Sequence, residues 1–291
     1  MLMVKKNIRC SVSCTKRVKV SKKKVPLLEV RNLKKYFPIQ SGVFRQTTGW
    51  VKAVDGVSFS LEEGEILGLV GESGCGKSTL GRSSIRLIEP SSGEIYFQGK
   101  DLMAKNAREL RDIRRDVQMV FQDPYASLNP RKTIAVNVGE APLYHGIVKD
   151  VKERDDYVVD ILESVGLPSS ALNRYPHEFS GGQQQRVCIG RAIALKPKLI
   201  VCDEAISALD VSIQAQILNL LYDLKKKNNF SYLFISHDLS VVEHFCDNIM
   251  VLYFGKLVEY GSARDVFDRP KESYTKELIA SIPSLKIMEG L

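Results

Sequence analysis

Residues 65–79 read EILGLVGESGCGKST, and this stretch decides the fold class. The apolar run at 65–71 predicts a buried strand that ends in glycine. Residues 71–79 then match the pattern G-x-x-x-x-G-K-[ST] in full, and a helical pattern follows them. Glycines let successive backbone N–H groups turn inward toward phosphate oxygens, and the N-terminus of a helix adds positive potential. The stretch therefore predicts a phosphate-binding loop in an α/β protein.

The side chains of this loop predict that it binds ATP and Mg²⁺. Lys77 supplies a positive charge to the β- and γ-phosphates, and the hydroxyl group of Ser78 is a magnesium ligand. Cys75 also fits the alternative of a small residue that faces away from the phosphates. The predicted nucleotide-binding residues of the loop are Gly71, Glu72, Ser73, Gly74, Cys75, Gly76, Lys77, Ser78 and Thr79.

Two carboxylates follow a second buried strand, which the apolar run LIVC at 199–202 predicts. A carboxylate at the end of such a strand, here Asp203, can hold Mg²⁺ through water, and the neighbouring Glu204 is placed to polarise an attacking water molecule. The alternative is an ordinary acidic cap at the start of a helix. His237 follows the next buried run, at 232–236, and is a candidate sensor of the γ-phosphate, although a structural histidine is more common at such a position.

A second anion-binding feature lies at 179–183, where FSGGQ stands just before a predicted helix. Ser180 and the backbone N–H groups of Gly181 and Gly182 predict a second nest for a phosphate, and Gln183 completes the segment. Because the chain already has its own phosphate loop, this nest indicates a head-to-tail pair of chains. ATP would lie between the loop of one chain and the nest of the other. The alternative is a plain turn with a helix cap.

Together these segments resemble the ATP-binding subunits of ABC transporters, over roughly residues 28–283. The matching segments are GESGCGKST (71–79), Gln122, FSGGQ (179–183), LIVCDE (199–204), SALD (207–210) and His237. The resemblance implies an ATPase with an ABC-type nucleotide-binding domain of the α/β class. That domain has a phosphate-loop core on a mainly parallel sheet, an antiparallel β subdomain and an inserted helical subdomain.

The same resemblance implies roles for individual residues. It implies that Gln122 links Mg²⁺ and water to the helical insertion and that Asp210 lies at the interface of the dimer. It implies that Tyr36 stacks on the adenine ring, with the alternative that Tyr36 is a core residue and Phe37 stacks instead. The implied catalytic residues are Glu204, His237 and Gln122, and the implied magnesium ligands are Ser78, Gln122 and Asp203.

Longer segments narrow the resemblance to the F-type ATP-binding subunits of oligopeptide and dipeptide importers. These segments are VKAVDGVSF, VFQDPYASLNPR, RYPHEFSGGQ, SALDVSIQAQILNLL, FISHDLSVVEHFCD and PKESYTKELIASIP. The resemblance implies ATP-driven uptake, with the chain at the cytoplasmic face of the cell membrane. Its implied partners are two transmembrane permease subunits, an extracytoplasmic substrate-binding protein and a second related ATP-binding subunit. A heterodimer of ATP-binding subunits is the expectation and a homodimer the alternative. Importers of nickel or another small solute belong to the same group, so the cargo stays open.

Two residues depart from the family pattern. Ala205 stands where proline is common after the acidic pair, and Gln184 stands where arginine is common after SGGQ. Neither departure removes a catalytic group. Ala205 predicts a softer loop around Glu204, which would change the turnover rate rather than abolish activity.

Composition and charge exclude several other classes of protein. The 291-residue chain is 44% hydrophobic and 26% charged, which excludes a disordered or fibrous protein, and no apolar run reaches the 18 residues of a transmembrane helix. Nine of the 42 basic residues lie in residues 1–24, so the rest of the chain carries 33 basic and 34 acidic residues. We therefore expect no nucleic-acid partner. The basic tail leaves a soluble ABC-type ATPase that acts on nucleic acid or the ribosome as an alternative.

The pattern along the chain predicts four segments. We expect residues 1–25 to form a disordered basic tail and residues 266–291 to form a carboxy-terminal family segment. The nucleotide-binding core is predicted at 26–123 and 181–265, with the helical subdomain at 124–180 between its two parts. Predicted helices lie at 101–118, 132–145, 150–166, 182–195 and 211–227.

Overall fold

A computed structural model describes residues 25–41 and 46–281 of the chain. The predicted basic tail lies outside the described residues except at Val25, and the end of the predicted carboxy-terminal segment, 282–291, lies outside them as well. Among the helices that the structure describes, none combines the length and the apolar character that a membrane crossing needs.

Two sheets organise the described part of the chain. The strands are β1 (Leu28–Ser41), β2 (Gln46–Leu61), β3 (Ile66–Val70), β4 (Ser92–Phe97), β5 (Lys100–Asp101), β6 (Val117–Val120), β7 (Leu199–Asp203), β8 (Ser231–Ile235), β9 (Asn248–Tyr253) and β10 (Lys256–Ser262). One sheet is antiparallel with the order β2-β1-β4-β5. The other has the order β10-β9-β3-β8-β7-β6 and is parallel except for β10. The predicted α/β fold with a mainly parallel sheet and an antiparallel β unit is confirmed.

Helices cover the larger sheet and form the insertion between its strands. They are α1 (Lys77–Ser84), α2 (Ala107–Asp116), α3 (Pro124–Ser127), α4 (Ile134–Tyr144), α5 (Val151–Ser164), α6 (Gly181–Ile193), α7 (Val211–Asn228), α8 (Leu239–Phe245), α9 (Ala263–Asp268) and α10 (Ser273–Ala280). Helices α4, α5, α6 and α7 confirm the predictions at 132–145, 150–166, 182–195 and 211–227, apart from one or two residues at their ends.

The central strand β3 shows why the apolar runs of the sequence become buried strands. Side chains alternate between the two faces of a strand. In β3, Ile66 and Val70 belong to one hydrophobic cluster, whereas Leu67 and Leu69 belong to the other cluster, on the opposite face of the sheet. Both faces of the strand are therefore covered, which explains why its sequence is continuously apolar instead of alternating.

The predicted helix at 101–118 is wrong at both ends. Helix α2 covers only 107–116, because Asn106 caps its N-terminus: its side chain accepts hydrogen bonds from two backbone N–H groups of the first turn. Residues 117–120 form β6 instead, in parallel register with β7. The short apolar run VQMV gains burial from β7 and forms backbone hydrogen bonds with it. The local charge pattern of the sequence does not reveal this strand pairing.

The strand order gathers the chemically important loops at one edge of the sheet. Strands β3, β6, β7 and β8 run parallel, so their carboxyl ends meet at the same edge. Gly71 directly follows β3, and Asp203 is the last residue of β7. His237 is the second residue after the end of β8. Gln122 follows β6 in the same way. This edge carries the candidate site.

Candidate nucleotide-binding site

The loop at 71–79 joins β3 to α1 and needs glycine at two crowded positions. Gly71 and Gly76 have backbone φ values of 149° and 108°, which favour glycine. A Cβ atom on Gly71 would lie 2.3 Å from the backbone oxygen of Leu252, and one on Gly76 would lie 2.0 Å from that of Ala53. Backbone from β2 and β9 therefore presses against the loop and fixes its path.

The ammonium group of Lys77 lies inside this loop. Lys77 is almost fully buried, and its Nζ atom donates hydrogen bonds to the backbone oxygens of Gly71 (2.8 Å) and Glu72 (2.7 Å). Beside the loop is a cavity of about 630 Å³, bordered by residues 73–79 and 50–53 and by Gln122, Glu204, Phe254 and Gly255. A positive charge at the wall of such a cavity attracts an anionic ligand.

Cys75 borders the cavity, but its side chain is buried in the hydrophobic cluster that covers the loop. Burial raises the pKa of its thiol, although the nearby charge of Lys77 acts in the opposite direction. The thiol is therefore neutral and poorly accessible at ordinary pH. This geometry favours the alternative that Cys75 is a small residue facing away from the phosphates.

Asp203 lies at the end of β7 with its side chain almost fully buried. Its Oδ2 atom accepts a hydrogen bond from the Nε atom of Arg82 (3.0 Å) and forms an ion pair with the Nη2 atom of the same side chain (2.8 Å). Its Oδ1 atom is also buried and has no hydrogen-bond partner among the described residues. A buried carboxylate oxygen without a partner is unfavourable unless another cation or a water molecule binds it. The residues present therefore fit a divalent cation, and oxygen ligands are those that Mg²⁺ prefers.

Glu204 is held beside the cavity by groups from two other loops. The Nε2 atom of Gln122 donates a hydrogen bond to Glu204 Oε2 (3.1 Å), and the Nδ1 atom of His237 lies 3.5 Å from the same oxygen. The backbone φ of Glu204 is +48°, in the left-handed region that is strained for a residue with a side chain. Strained residues that the surroundings hold in place cluster at functional sites. Three predicted catalytic residues are thus in contact.

The second predicted nest is separate from the cavity. Ser180 caps α6: its Oγ atom accepts a hydrogen bond from the backbone N–H of Gln183, and Gln183 Oε1 accepts one from the N–H of Ser180. Ser180, Gln183 and Asp210 are exposed, and Gly181 and Gly182 are partly exposed. The reciprocal cap fits the plain-turn alternative, and the exposure leaves the segment accessible to another molecule.

The aromatic residues of β1 that are predicted to stack on adenine lie away from the cavity. Tyr36 does not border it, and its hydroxyl group donates a short hydrogen bond to Asp55. That bond raises the pKa of Tyr36 and holds the pKa of the Asp55 carboxyl below its usual range. Phe37 does not border the cavity either. Instead, Trp50 borders it with 58% of its surface exposed, and so does Phe254 with 72% exposed.

Trp50 and Phe254 are residues that the sequence reasoning missed. Trp50 is the only tryptophan of the chain, and Phe254 stands next to Gly255 in a tight turn between two strands. Single exposed aromatic side chains such as Tyr125 and Tyr144 are normal, so exposure alone does not distinguish Trp50 and Phe254; their place beside the cavity does. The family resemblance implies Tyr36 or Phe37, both on β1, as the stacking residue instead.

Comparisons with known proteins place the chain in a family. Residues 54–207, more than half of the chain, match the family described as ABC transporter. The oligopeptide transport ATP-binding protein AppF of Bacillus subtilis is 53% identical, over 88% of this chain and 78% of that protein. The dipeptide transport ATP-binding protein DppF of Haemophilus influenzae is 48% identical, over 91% of this chain and 80% of that protein. The glutathione import ATP-binding protein GsiA of Pectobacterium atrosepticum is 49% identical, but this chain spans only 41% of its length.

Solved structures show the same fold. A dimeric ATP-binding cassette in a post-hydrolysis state with ADP and Pi matches 81% of this chain and 99% of its own, with 29% identity and a TM-score of 0.71. The cbiO1 protein of Clostridium perfringens, part of an ABC transporter complex, matches 84% of this chain and 91% of its own, with 25% identity and a TM-score of 0.71. The ABC-type fold, the ATPase assignment and the resemblance to oligopeptide and dipeptide transport proteins are confirmed. The chain belongs to the ABC transporter family of ATP-binding proteins.

Proposed function

We propose that this chain is the ATP-hydrolysing subunit of an importer for oligopeptides or dipeptides. The observation that carries the proposal is the group formed by Glu204, Gln122 and His237 beside the phosphate-loop cavity. A carboxylate fixed by two neighbours, next to a site for a triphosphate, suits the activation of water for phosphoryl transfer. The names of the relatives, oligopeptide and dipeptide transport ATP-binding proteins, support the cargo.

The proposed hydrolysis uses groups that are already near their positions. The backbone N–H groups of residues 73–79 bind the phosphate oxygens, and Lys77 exchanges its two carbonyl partners for them. Glu204 accepts a proton from the water that attacks the γ-phosphorus, while Gln122 fixes its carboxylate. The bond from the γ-phosphorus to the bridging oxygen breaks, and ADP is the leaving group. His237 contacts the γ-phosphate from the neighbouring loop after β8.

Magnesium fits the same site as a proposed ligand. Ser78, Gln122 and Asp203 would hold the ion, and the buried Oδ1 atom of Asp203 is the observation that favours it. When bound, the ion neutralises negative charge on the β- and γ-phosphates.

The site is proposed to be completed by a second ATP-binding subunit. Residues 180–183 and Asp210 are accessible and do not border the cavity of their own chain. In a head-to-tail dimer they would meet the nucleotide of the partner subunit. The γ-phosphate then connects two chains, and its loss removes the contact that holds them together. The resemblance favours two related but distinct chains, with a homodimer as the alternative.

A groove next to the site suits the proposed membrane partners. It has a volume of about 660 Å³ and is bordered by Arg82, Phe121 and Gln122 on one side and by Ala126 and Ser127 on the other. It lies between the proposed nucleotide-binding core (26–123 and 181–265) and the proposed helical subdomain (124–180). We propose that a segment of each transmembrane permease subunit docks here, at the cytoplasmic face, and that an extracytoplasmic binding protein delivers the peptide.

We further propose that the adenine ring stacks on Trp50. The indole borders the cavity and is largely exposed, whereas the hydroxyl group of Tyr36 is engaged by Asp55. Stacking would cover apolar surface that is otherwise in contact with water.

The test is to purify the chain with its partners from detergent-solubilised membranes and to measure Mg-ATP hydrolysis and uptake of labelled peptides in proteoliposomes. We expect peptide-dependent hydrolysis that is lost on replacing Lys77 with Ala and strongly reduced on replacing Ser180 with Ala. Hydrolysis that persists in both variants would refute the proposal. Uptake of Ni²⁺ but not of peptides would support the proposed ATPase activity and refute the proposed peptide cargo.

A further inference from the structure

A side chain of α10, the last helix among the described residues, contacts the phosphate loop. The backbone N–H of Glu72 donates a hydrogen bond of 3.1 Å to the hydroxyl oxygen of Tyr274, which lies 202 residues further along the chain. We propose that Tyr274 is a positioning residue through which α10 holds the phosphate loop in its ATP-binding conformation. The inference rests on the proposed function of that loop.

The hydrogen bond of Tyr274 acts on the same peptide group as Lys77. The carbonyl oxygen of Gly71 accepts a hydrogen bond from Lys77, and the N–H of that peptide group, which belongs to Glu72, donates to Tyr274. When phosphate oxygens attract Lys77, the carbonyl loses its partner. The contact with Tyr274 then remains to hold the start of the loop. Glu72 does not border the cavity, so the nucleotide does not compete for its N–H.

The ring of Tyr274 extends the contact to the adenine side of the cavity. Its centroid lies 4.2 Å from that of Tyr253, and Tyr253 meets Phe254 edge-on at 4.6 Å. Phe254 borders the cavity. Burial raises the pKa of the Tyr274 hydroxyl, which therefore stays neutral. Two consecutive aromatic contacts, among three aromatic residues, thus connect α10 with the cavity.

Helix α10 is itself fixed by a carboxylate of strand β10. Glu259, which is only 8% exposed, accepts hydrogen bonds from the backbone N–H groups of Lys271 (2.9 Å) and Glu272 (3.2 Å) just before the helix. A carboxylate at a helix N-terminus satisfies unpaired N–H groups and interacts favourably with the helix dipole. Glu259 therefore fixes the N-terminal end of α10, two residues before Tyr274.

The inference predicts a change in ATP affinity without a change in the chemical step. In the Tyr274→Phe variant the ring contacts stay and the hydroxyl acceptor is lost, so the free loop samples other conformations. ATP binding must then order the loop, and we expect the Kd for ATP, measured with a fluorescent analogue, to rise about two- to tenfold. Once bound, the phosphates order the loop, so kcat stays within about twofold while KM rises.

A second readout does not depend on ATP. Cys75 lies within the loop and is buried, so its alkylation in the nucleotide-free protein reports loop opening. Peptide mapping by mass spectrometry should show faster labelling of Cys75 in Tyr274→Phe, and also in Glu259→Gln, in which the contact before α10 is weakened. Labelling of Cys188, which is buried in α6, should not change, because a local opening leaves the rest of the fold intact.

The matched control is Tyr260→Phe, because Tyr260 lies exposed on β10 and its hydroxyl group makes no hydrogen bond within residues 25–41 and 46–281. It should keep the wild-type affinity and labelling rate. Equal rates of Cys75 labelling in wild type and Tyr274→Phe would overturn the inference. The inference would also fail if labelling of Cys188 in Tyr274→Phe accelerated as much as that of Cys75, because that result would indicate global destabilisation. If Lys77→Ala left ATP binding intact, the proposed function would fail instead, whatever the labelling shows.

Discussion

The ion pair between Arg82 and Asp203 allows a prediction of stability from the structure. The side chain of Asp203 is 1% exposed, and its Oδ2 atom accepts a hydrogen bond from Arg82 Nε and lies 2.8 Å from Arg82 Nη2. Removing one partner of a fully buried pair costs about 3–5 kcal/mol of unfolding free energy. Because the side chain of Arg82 is 37% exposed, solvent screens the pair, and we expect about 1–3 kcal/mol for Arg82→Ala. For a domain of this size that corresponds to a decrease in Tm of about 3–10 °C.

The assay is thermal unfolding, followed by circular dichroism, with EDTA and then with Mg²⁺ and ADP. If Mg²⁺ binds at Asp203, its charge replaces that of the missing guanidinium, so the difference in Tm between variant and wild type should shrink on adding Mg²⁺ and ADP. The matched control is Arg31→Ala. The Nη2 atom of Arg31 lies 2.8 Å from Glu29 Oε1, as close as in the Arg82–Asp203 pair, but both side chains are substantially exposed. We expect its Tm to stay within about 2 °C of wild type.

Two results would contradict this reasoning. If Arg82→Ala unfolds in EDTA at the wild-type temperature, the Asp203 carboxylate does not depend on Arg82 for its charge balance. If the difference in Tm is the same with Mg²⁺ and ADP as with EDTA, the ion does not bind near Asp203.

Two further predictions concern the nucleotide. Glu204→Gln keeps the shape of the side chain but removes the proton acceptor. ATP affinity should therefore stay unchanged, while single-turnover hydrolysis slows by about 10²–10⁴-fold. A rate within about tenfold of wild type would exclude Glu204 as the base. ATP should quench the fluorescence of Trp50, the only tryptophan, and Trp50→Ala should weaken ATP binding at least about fivefold. Tyr36→Ala should leave the affinity within about twofold, and the reverse order of effects would restore Tyr36 as the adenine contact.

The core of the site could be predicted because its parts directly follow buried strands. The apolar runs before Gly71, Asp203 and His237 each form a strand that is covered on both faces. Parallel strands bring their carboxyl ends to one edge, so residues that are far apart in sequence meet there. The hydrophobic pattern thus predicted the strands, and the motifs and the family resemblance predicted the residues that follow them, whereas the strand order is known only from the structure.

The aromatic border of the cavity could not be predicted, because it depends on the register of two long strands. Tyr36 pairs with Lys52, and the pairing of β1 with β2 shifts between Lys35 and Tyr36. Such a bulge moves the following side chains to the other face of the strand, since side chains alternate with a period of two. Only the structure shows that Tyr36 thereby contacts Asp55, while Trp50 on the partner strand borders the cavity.

Ala205 stands where the family commonly has proline, and tertiary contacts hold the loop around it. A softer loop around Glu204 was expected without proline. However, the N–H of Glu204 donates to the backbone oxygen of Ile235 (3.1 Å), and its backbone oxygen accepts hydrogen bonds from the N–H (3.1 Å) and Oγ (2.9 Å) of Ser207. Both backbone groups of the strained residue are therefore held, and Ala205 itself is buried. These bonds hold the +48° backbone conformation of Glu204 with alanine at position 205, and the change in turnover rate stays a prediction.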